Sequence, residues 1–162
     1  MIIFLSGPTG SGKDEVAKFI MKHADGFIDE YKMSQPLKDA FKYTFKFNPQ
    51  AITQMLEPFK DRAFSYSLTD NDTPRQFQID YFYFLVERYG EDILAKIGVK
   101  IVSNMSAKHI VIDCGRNIEI ETFTKIPIKA HGIKITRPGH AFNDSREPID
   151  FKRFNIPCME LD

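Results

Sequence analysis

The first eighteen residues, MIIFLSGPTGSGKDEVAK, constrain the fold more than any other stretch of the chain. Ile2-Ile3-Phe4-Leu5 is a short apolar run of β-branched and aromatic residues, which suits a buried parallel strand. It breaks into Gly7-Pro8-Thr9-Gly10-Ser11-Gly12-Lys13-Asp14. From Glu15 onward the pattern turns helical, with Val16, Ala17, Phe19 and Ile20 on one face. Strand, glycine loop, Lys and helix, in that order, form the context a phosphate-binding loop requires. Glycines let successive backbone N–H groups turn inward around an anion. The helix N-terminus adds its partial positive charge.

Gly7, Gly10, Ser11, Gly12, Lys13 and Asp14 are therefore the candidate ATP-binding residues, with Lys13 able to reach the outer phosphates. The looser pattern Gly-x4-Gly-Lys arises by chance roughly 0.05 times in a chain of this length, given typical Gly and Lys usage. The usual motif ends in Ser or Thr, whereas Asp14 stands here. A carboxylate can hold Mg²⁺ where a hydroxyl usually sits. It also places negative charge beside the phosphates, which should raise the demand for metal. The competing reading is a plain Gly/Ser turn that caps the helix through Ser11 or Asp14.

Composition bounds the rest. A chain of 162 residues fits one domain with a sizeable core. The formal net charge is zero, so no basic surplus advertises nucleic-acid binding. Two cysteines, Cys114 and Cys158, are too few for a disulfide framework and fit reduced thiols in a cytoplasm. The N-terminal apolar run is too short for a signal peptide or a membrane span. The four histidines show no metal-ligand spacing.

Along the chain, Gly26–Met33 reads as a second strand. Ser34-Gln35-Pro36 opens a helix, with Ser34 as its cap and Leu37, Ala40, Phe41, Thr44 and Phe45 on its apolar face. Asn48-Pro49 ends it. A short helix is expected over Ala51–Leu56 and irregular chain from Phe59 to Thr73. Thr73-Pro74 starts a helix reaching Arg88 or Tyr89, and Glu91-Asp92 opens another to about Asn104. His109–Asp113 is the next strand, Ile118–Lys125 a helix, and Gly132–Thr136 a further strand. The segment from Asn155 to Glu160 is a weaker strand, made an edge candidate by Pro157. Alternation of strands and helices predicts an α/β fold with a mainly parallel sheet. The division expected is a core of residues 1–33 and 105–162 and a helical, acceptor-binding region over 34–104. In such a sheet ligands bind at the carboxyl ends of the strands. The glycine loop, Met33-Ser34, Asp113 to Arg116, and Arg137 all follow predicted strands.

Asp113 ends an apolar strand downstream of the loop, where a carboxylate for Mg²⁺ belongs. Arg116 behind it can take a phosphate. The competing reading makes Asp113 a helix cap and Arg116 a solvated side chain. Arg75, Arg116, Arg137, Arg146 and Arg153 all lie in or beside loops or helix starts, and guanidinium suits bidentate phosphate contacts. Ser34 and Lys38 follow the second strand and are candidate substrate contacts, although an exposed helix face also accounts for Lys38. Tyr81-Phe82-Tyr83-Phe84 reads mainly as helix packing, with stacking of one ring on a nucleobase as the alternative.

These residues together resemble the deoxynucleoside monophosphate kinases encoded by tailed bacteriophages, within the P-loop nucleoside monophosphate kinase superfamily. The likeness is carried by Phe4-Leu5-Ser6-Gly7 through Ser11-Gly12-Lys13-Asp14, by Pro36-Leu37-Lys38-Asp39-Ala40 and by Pro74-Arg75. It continues in Ile112-Asp113 with Arg116 and Glu119, and in Arg137-Pro138-Gly139 with Asn143-Asp144-Ser145. It implies a three-layer fold with a five-stranded sheet in the order 2-3-1-4-5. It implies ATP on the glycine loop with Mg²⁺ at Asp14 and Asp113, and an acceptor phosphate held by Arg75 and Arg116. A short lid over about 138–154 would carry Arg146 and Arg153, with Lys13, Arg116 and Arg146 as the catalytic cations and Arg137 on the ATP side. The implied partners are small nucleotides in a host cytoplasm, not nucleic acid or membrane. Three departures stand out. The Gln that the resemblance implies in the helix after Arg75 is not clearly aligned, and Gln78 is only nearby. One extra residue separates Asp113 from Arg116. The chain also stops after its last strand, where a helix is expected, which leaves room for a homodimer contact. The rival readings are a P-loop kinase of another phosphorylated metabolite, of the phosphomevalonate or dephospho-coenzyme A type, and a non-catalytic nucleotide-binding protein.

Overall fold

The computed structural model describes residues 1–46, 50, 73–141 and 148–162. The expected helix over Ala51–Leu56, the stretch from Phe59 to Asp72, the run Asn143-Asp144-Ser145 and Arg146 lie outside the described residues.

In chain order the elements are β1 (Ile2–Ser6), α1 (Lys13–His23), β2 (Ile28–Lys32), α2 (Gln35–Phe45), α3 (Pro74–Tyr89), α4 (Ile93–Ser103), β3 (His109–Asp113), α5 (Asn117–Thr124), β4 (Ala130–Ile135), a 3-10 turn (Phe151–Phe154) and β5 (Cys158–Leu161). The fold is α/β, with one five-stranded sheet in the order β2-β3-β1-β4-β5 and every pairing parallel. The expected edge position of the last strand is met: β5 pairs with β4, and Pro157 directly precedes it.

The chain divides into two compact units, Met1–Met33 with Leu94–Asp162, and Ser34–Ile93. In the first, the sheet's two faces are covered by different helices. Leu5, Ala17 and Val111 form a buried cluster with Ile3, Val16, Ile20, Ile28 and Ile133 around it, so α1 packs on that face. On the other face Phe4 meets Phe123 of α5 edge-on, with ring centroids 5.7 Å apart. Gly98 of α4 comes so close to the same face that a Cβ there would lie 2.9 Å from the Tyr31 ring and 3.2 Å from Phe123. That proximity puts α4 with the sheet from Leu94 onward. Gly132 of β4 likewise leaves room for the Phe151 ring.

Phe19 departs from the expected apolar face of α1. It is 62% exposed and stacks on His23 with centroids 4.2 Å apart. Residues 16, 17 and 20 suffice to cover the sheet, and position 19 points around the helix from them.

The second unit is helical. Leu37 and Phe41 of α2 and Phe82 and Leu85 of α3 are buried. Phe41, Phe45 and Phe77 pack ring against ring at 4.8–5.4 Å, and Tyr81 stacks beyond Phe77 at 6.0 Å. Thr73 caps α3 through a bond from Gln76 N to its hydroxyl at 3.0 Å, with Pro74 in the first turn, as the sequence predicts. Ser34 does not cap α2 with its side chain. Its backbone is already αR (φ −81°, ψ −4°), unlike the extended geometry from which a cap hydroxyl reaches back. No helix among the described residues is long and apolar enough to cross a membrane.

Candidate functional site

The loop between β1 and α1 is a tight backbone cradle. Gly10 and Gly12 both sit at positive φ, +79° and +98°, where L side chains are strained. Gly12 is the N-cap of α1 and no side chain caps the helix, so neither Ser11 nor Asp14 performs the capping role of the competing reading. The first N–H groups of α1 have no carbonyl partner within the helix and face outward from its positive end. A Cβ on Gly7 would lie 2.6 Å from the Ile135 carbonyl oxygen and 2.6 Å from Ser11 Oγ. Only glycine fits there, because the Ile135 oxygen belongs to the backbone. Ser11 Oγ is buried and finds no hydrogen-bond partner among the described residues. A buried hydroxyl without a partner is costly unless something else supplies one.

Lys13 folds back over the cradle. Its ammonium donates to the carbonyls of Gly7 at 2.8 Å and Pro8 at 3.0 Å. Two further side chains hold the loop from the turn after β4. Arg137 Nη1 donates to Gly10 O at 3.1 Å, and His140 Nδ1 lies 3.3 Å from Thr9 O. A Cβ on Gly10 would meet the His140 ring at 3.0 Å.

The carboxylates follow from strand register. Leu5 of β1 and Lys32 of β2 both pair with Asp113 of β3. Register partners in a sheet point to the same face. Asp113 and Lys32 therefore share the face that α1 covers, and Asp14 stands in the first turn of α1. Lys32 Nζ donates to Asp14 Oδ1 at 2.8 Å and lies 3.9 Å from Glu30 Oε1. The hydrogen bond from Lys32 holds the Asp14 carboxyl below its ordinary value. Asp113 goes the other way: burial raises it, with Lys13 offsetting part of the rise.

Behind Asp113 the chain turns into α5 through a side-chain cap. Glu119 is 7% exposed, and its carboxylate accepts from Gly115 N at 2.8 Å and Arg116 N at 3.1 Å. Burial raises its carboxyl above the ordinary value, with the Gly115 bond opposing. Asp113 therefore does not cap the helix; Glu119 does. Cys114 Sγ donates to Leu5 O at 3.4 Å and its thiol is pushed well up by burial. Both cysteines are free.

The structure brings Gly7, Gly10, Ser11, Gly12, Lys13, Asp14, Asp113 and Arg137 together around one loop. Arg116 sits half-buried at the N-cap of α5. Arg153 is exposed, with its guanidinium carbon 5.4 Å from the centroid of the Phe154 ring. Ser34, Lys38 and Arg75 lie on the helical unit, Lys38 half-buried on α2 and Arg75 exposed in the first turn of α3. Gln78 is tied to Pro74 O at 3.0 Å. In the aromatic run Phe82 is buried, while Tyr83 and Phe84 are 64% and 54% exposed.

Two residues of this site, Lys32 and His140, escape sequence reasoning, and a third, Glu119, enters it only through the resemblance, with no role assigned. Lys32 gains its place from parallel register, which local periodicity does not encode. Glu119 caps a helix whose N-cap is Arg, not Ser, Thr, Asp or Asn; its spacing of three from Arg116 was the available signal. His140 gave no signal beyond its place in the turn after Arg137.

The residues suit the groups the sequence points to. The cradle, the partnerless Ser11 hydroxyl and the Lys13 ammonium match an anion of phosphate type. Among the described residues no three His, Cys, Asp or Glu side chains gather into a metal cluster. Mg²⁺ is commonly held by one or two carboxylates with substrate phosphates completing its shell, and Asp14 and Asp113 are the hard oxygen donors beside the loop. No protein-family model matches the chain, and no curated protein matches it.

Proposed function

We propose that this chain is a phosphotransferase of the P-loop kinase type, moving the γ-phosphoryl of ATP to a (deoxy)nucleoside monophosphate. The observation that carries the reading is the glycine cradle at the end of a central parallel strand, with the Lys13 ammonium on its rim and the Asp113 carboxylate at the next strand's end. Alignment of these groups at the carboxyl edge of the sheet is the arrangement in which α/β folds hold phosphates. The sheet order and the helices on both of its faces fit a three-layer kinase fold.

The chemistry needs no protein nucleophile. An oxygen of the acceptor's phosphate attacks the γ-phosphorus in line, the bond from that phosphorus to the β,γ-bridging oxygen breaks, and ADP leaves with that electron pair. Lys13 neutralises charge on the outer phosphates, and backbone N–H groups of the loop hold the others. Arg137 ties Gly10 and keeps the loop in its receiving shape. The acceptor's phosphate needs cations of its own: the candidate on the sheet unit is Arg116, and the candidates on the helical unit are Arg75 with Ser34 and Lys38. Arg146, outside the described residues, is the further cation that the resemblance implies. When bound at Asp14 and Asp113, Mg²⁺ supplies Lewis-acid neutralisation of the developing charge.

The test is ADP release from Mg-ATP with each ribo- and deoxyribonucleoside monophosphate in turn. Stimulation by a subset is expected, and Lys13→Ala should reduce it on the order of a hundredfold or more. An unchanged rate in Lys13→Ala would remove the loop from the chemistry. A flat response with ATP still bound would point to another phosphorylated acceptor or to a non-catalytic role.

A further inference from the structure

We propose that Lys32 is a resident counter-cation of the phosphate-binding loop: it neutralises Asp14, so that the loop can hold nucleotide phosphates with little help from a divalent ion. The inference rests on reading the loop as a nucleotide site. Asp14 stands where a neutral hydroxyl is usual, and on sequence grounds its charge should oppose phosphate binding until metal arrives. The structure supplies a cation for it. Lys32 Nζ lies 2.8 Å from Asp14 Oδ1, a contact between the last residue of β2 and the first turn of α1. The Lys32 side chain is the less exposed of the two, 31% against 64%, so it is the anchored partner. Glu30, two residues earlier on the same face of β2, approaches the same ammonium at 3.9 Å. On its other side Lys32 is in register with Asp113. One ammonium thus stands among three carboxylates at the mouth of the loop. Of the other ammonium groups near Asp14, Lys13 is engaged by the Gly7 and Pro8 carbonyls and Lys18 by Glu15 Oε1 at 2.7 Å.

A nucleotide arriving without metal meets a loop whose extra carboxylate is already neutralised. A nucleotide arriving with Mg²⁺ would bring charge that competes with Lys32 for the Asp14 carboxylate. Lys32 therefore lowers the coupling between metal and nucleotide. Sequence position alone hides this, because the pair joins the last residue of β2 to the first turn of α1.

The experiment is calorimetric titration of ATP in EDTA and in Mg²⁺, on the parent protein, Lys32→Met, Lys32→Arg, Asp14→Asn and the double variant Asp14→Asn with Lys32→Met. Circular dichroism and thermal melts check that each variant folds. Lys32→Met should weaken metal-free ATP binding about fivefold while holding Mg-ATP affinity within about twofold, the scale of one partly exposed ion pair. Lys32→Arg should restore the parent ratio. In the Asp14→Asn background, Lys32→Met should no longer change the ratio of metal-free to metal-bound affinity. Equal weakening in both conditions, or no change in either, overturns the inference while leaving the loop reading intact. A parent protein that binds no ATP in either condition overturns the loop reading, and the inference with it.

Discussion

Asp113 is a carboxylate that the fold holds against its own preference. Burial raises its proton affinity, and Lys13 repays only part of that cost. A carboxyl whose value in the fold exceeds its unfolded value of 3.8 binds a proton more readily when folded. Its ionisation therefore costs stability at neutral pH, and the cost fades as pH falls through the folded value toward the unfolded one. Asp113→Asn removes the charge and keeps the shape. It should melt about 2–4 °C higher than the parent at pH 7, with the gain shrinking at about pH 4. Thermal melts of both proteins at the two pH values check this; an equal gain at both would show that desolvation is not the cause. Under the proposed function the same variant loses turnover, since stability and a functional carboxylate oppose each other here. Asp14 has the opposite sign. Lys32 lowers it, so its contribution is present above its unfolded value and lost as pH falls through the folded one. Asp113 was legible in the sequence because an apolar strand leads directly into it. Lys32 was not, because its neighbours belong to β3 and α1.

Among the elements, α5 depends most on a single side chain. It spans Asn117–Thr124 and begins at Arg116, a residue type that rarely caps a helix. Glu119 performs the task from inside the helix, accepting from both Gly115 N and Arg116 N. Glu119→Ala leaves two N–H groups without that carboxylate and should cost about 2 kcal/mol in a urea titration. Glu119→Gln keeps an acceptor oxygen and should cost less than half as much. Equal losses in the two variants would assign the effect to packing instead. Most elements were readable from the chain: β1, β3 and β4 from short apolar runs, and α2 and α3 from Ser34-Gln35-Pro36 and Thr73-Pro74. What failed was detail decided by tertiary context. Ser34 marked the start of α2 correctly yet makes no side-chain cap, and Phe19 kept its helical period while missing the core. The placement of α4 was also hidden. Gly98, unremarkable in sequence, is the small residue that lets that helix reach Tyr31 and Phe123.

Across the whole molecule, the sheet sets a gradient of protection from centre to edge. β1 lies between β3 and β4 and is buried at Ile2, Phe4, Leu5 and Ser6. β3 is buried at Ile110, Val111 and Ile112 and lies between β1 and β2. β5, at the far edge, pairs with β4 alone among the described residues and is exposed from Cys158 to Glu160. Local opening is cheapest where few buried contacts must break. Amides of β1 and β3 should therefore exchange with deuterium at rates near those of global unfolding, and amides of β5 should exchange fastest among the five strands. Mass-spectrometric exchange on peptides covering each strand tests the order. Protection of β5 equal to that of β1 would contradict the gradient and require a partner on its outer edge. A second copy of the chain pairing along that edge is the simplest source, and a dilution series would then separate the two cases. Protection from a partner falls as concentration falls, whereas protection from within the fold does not.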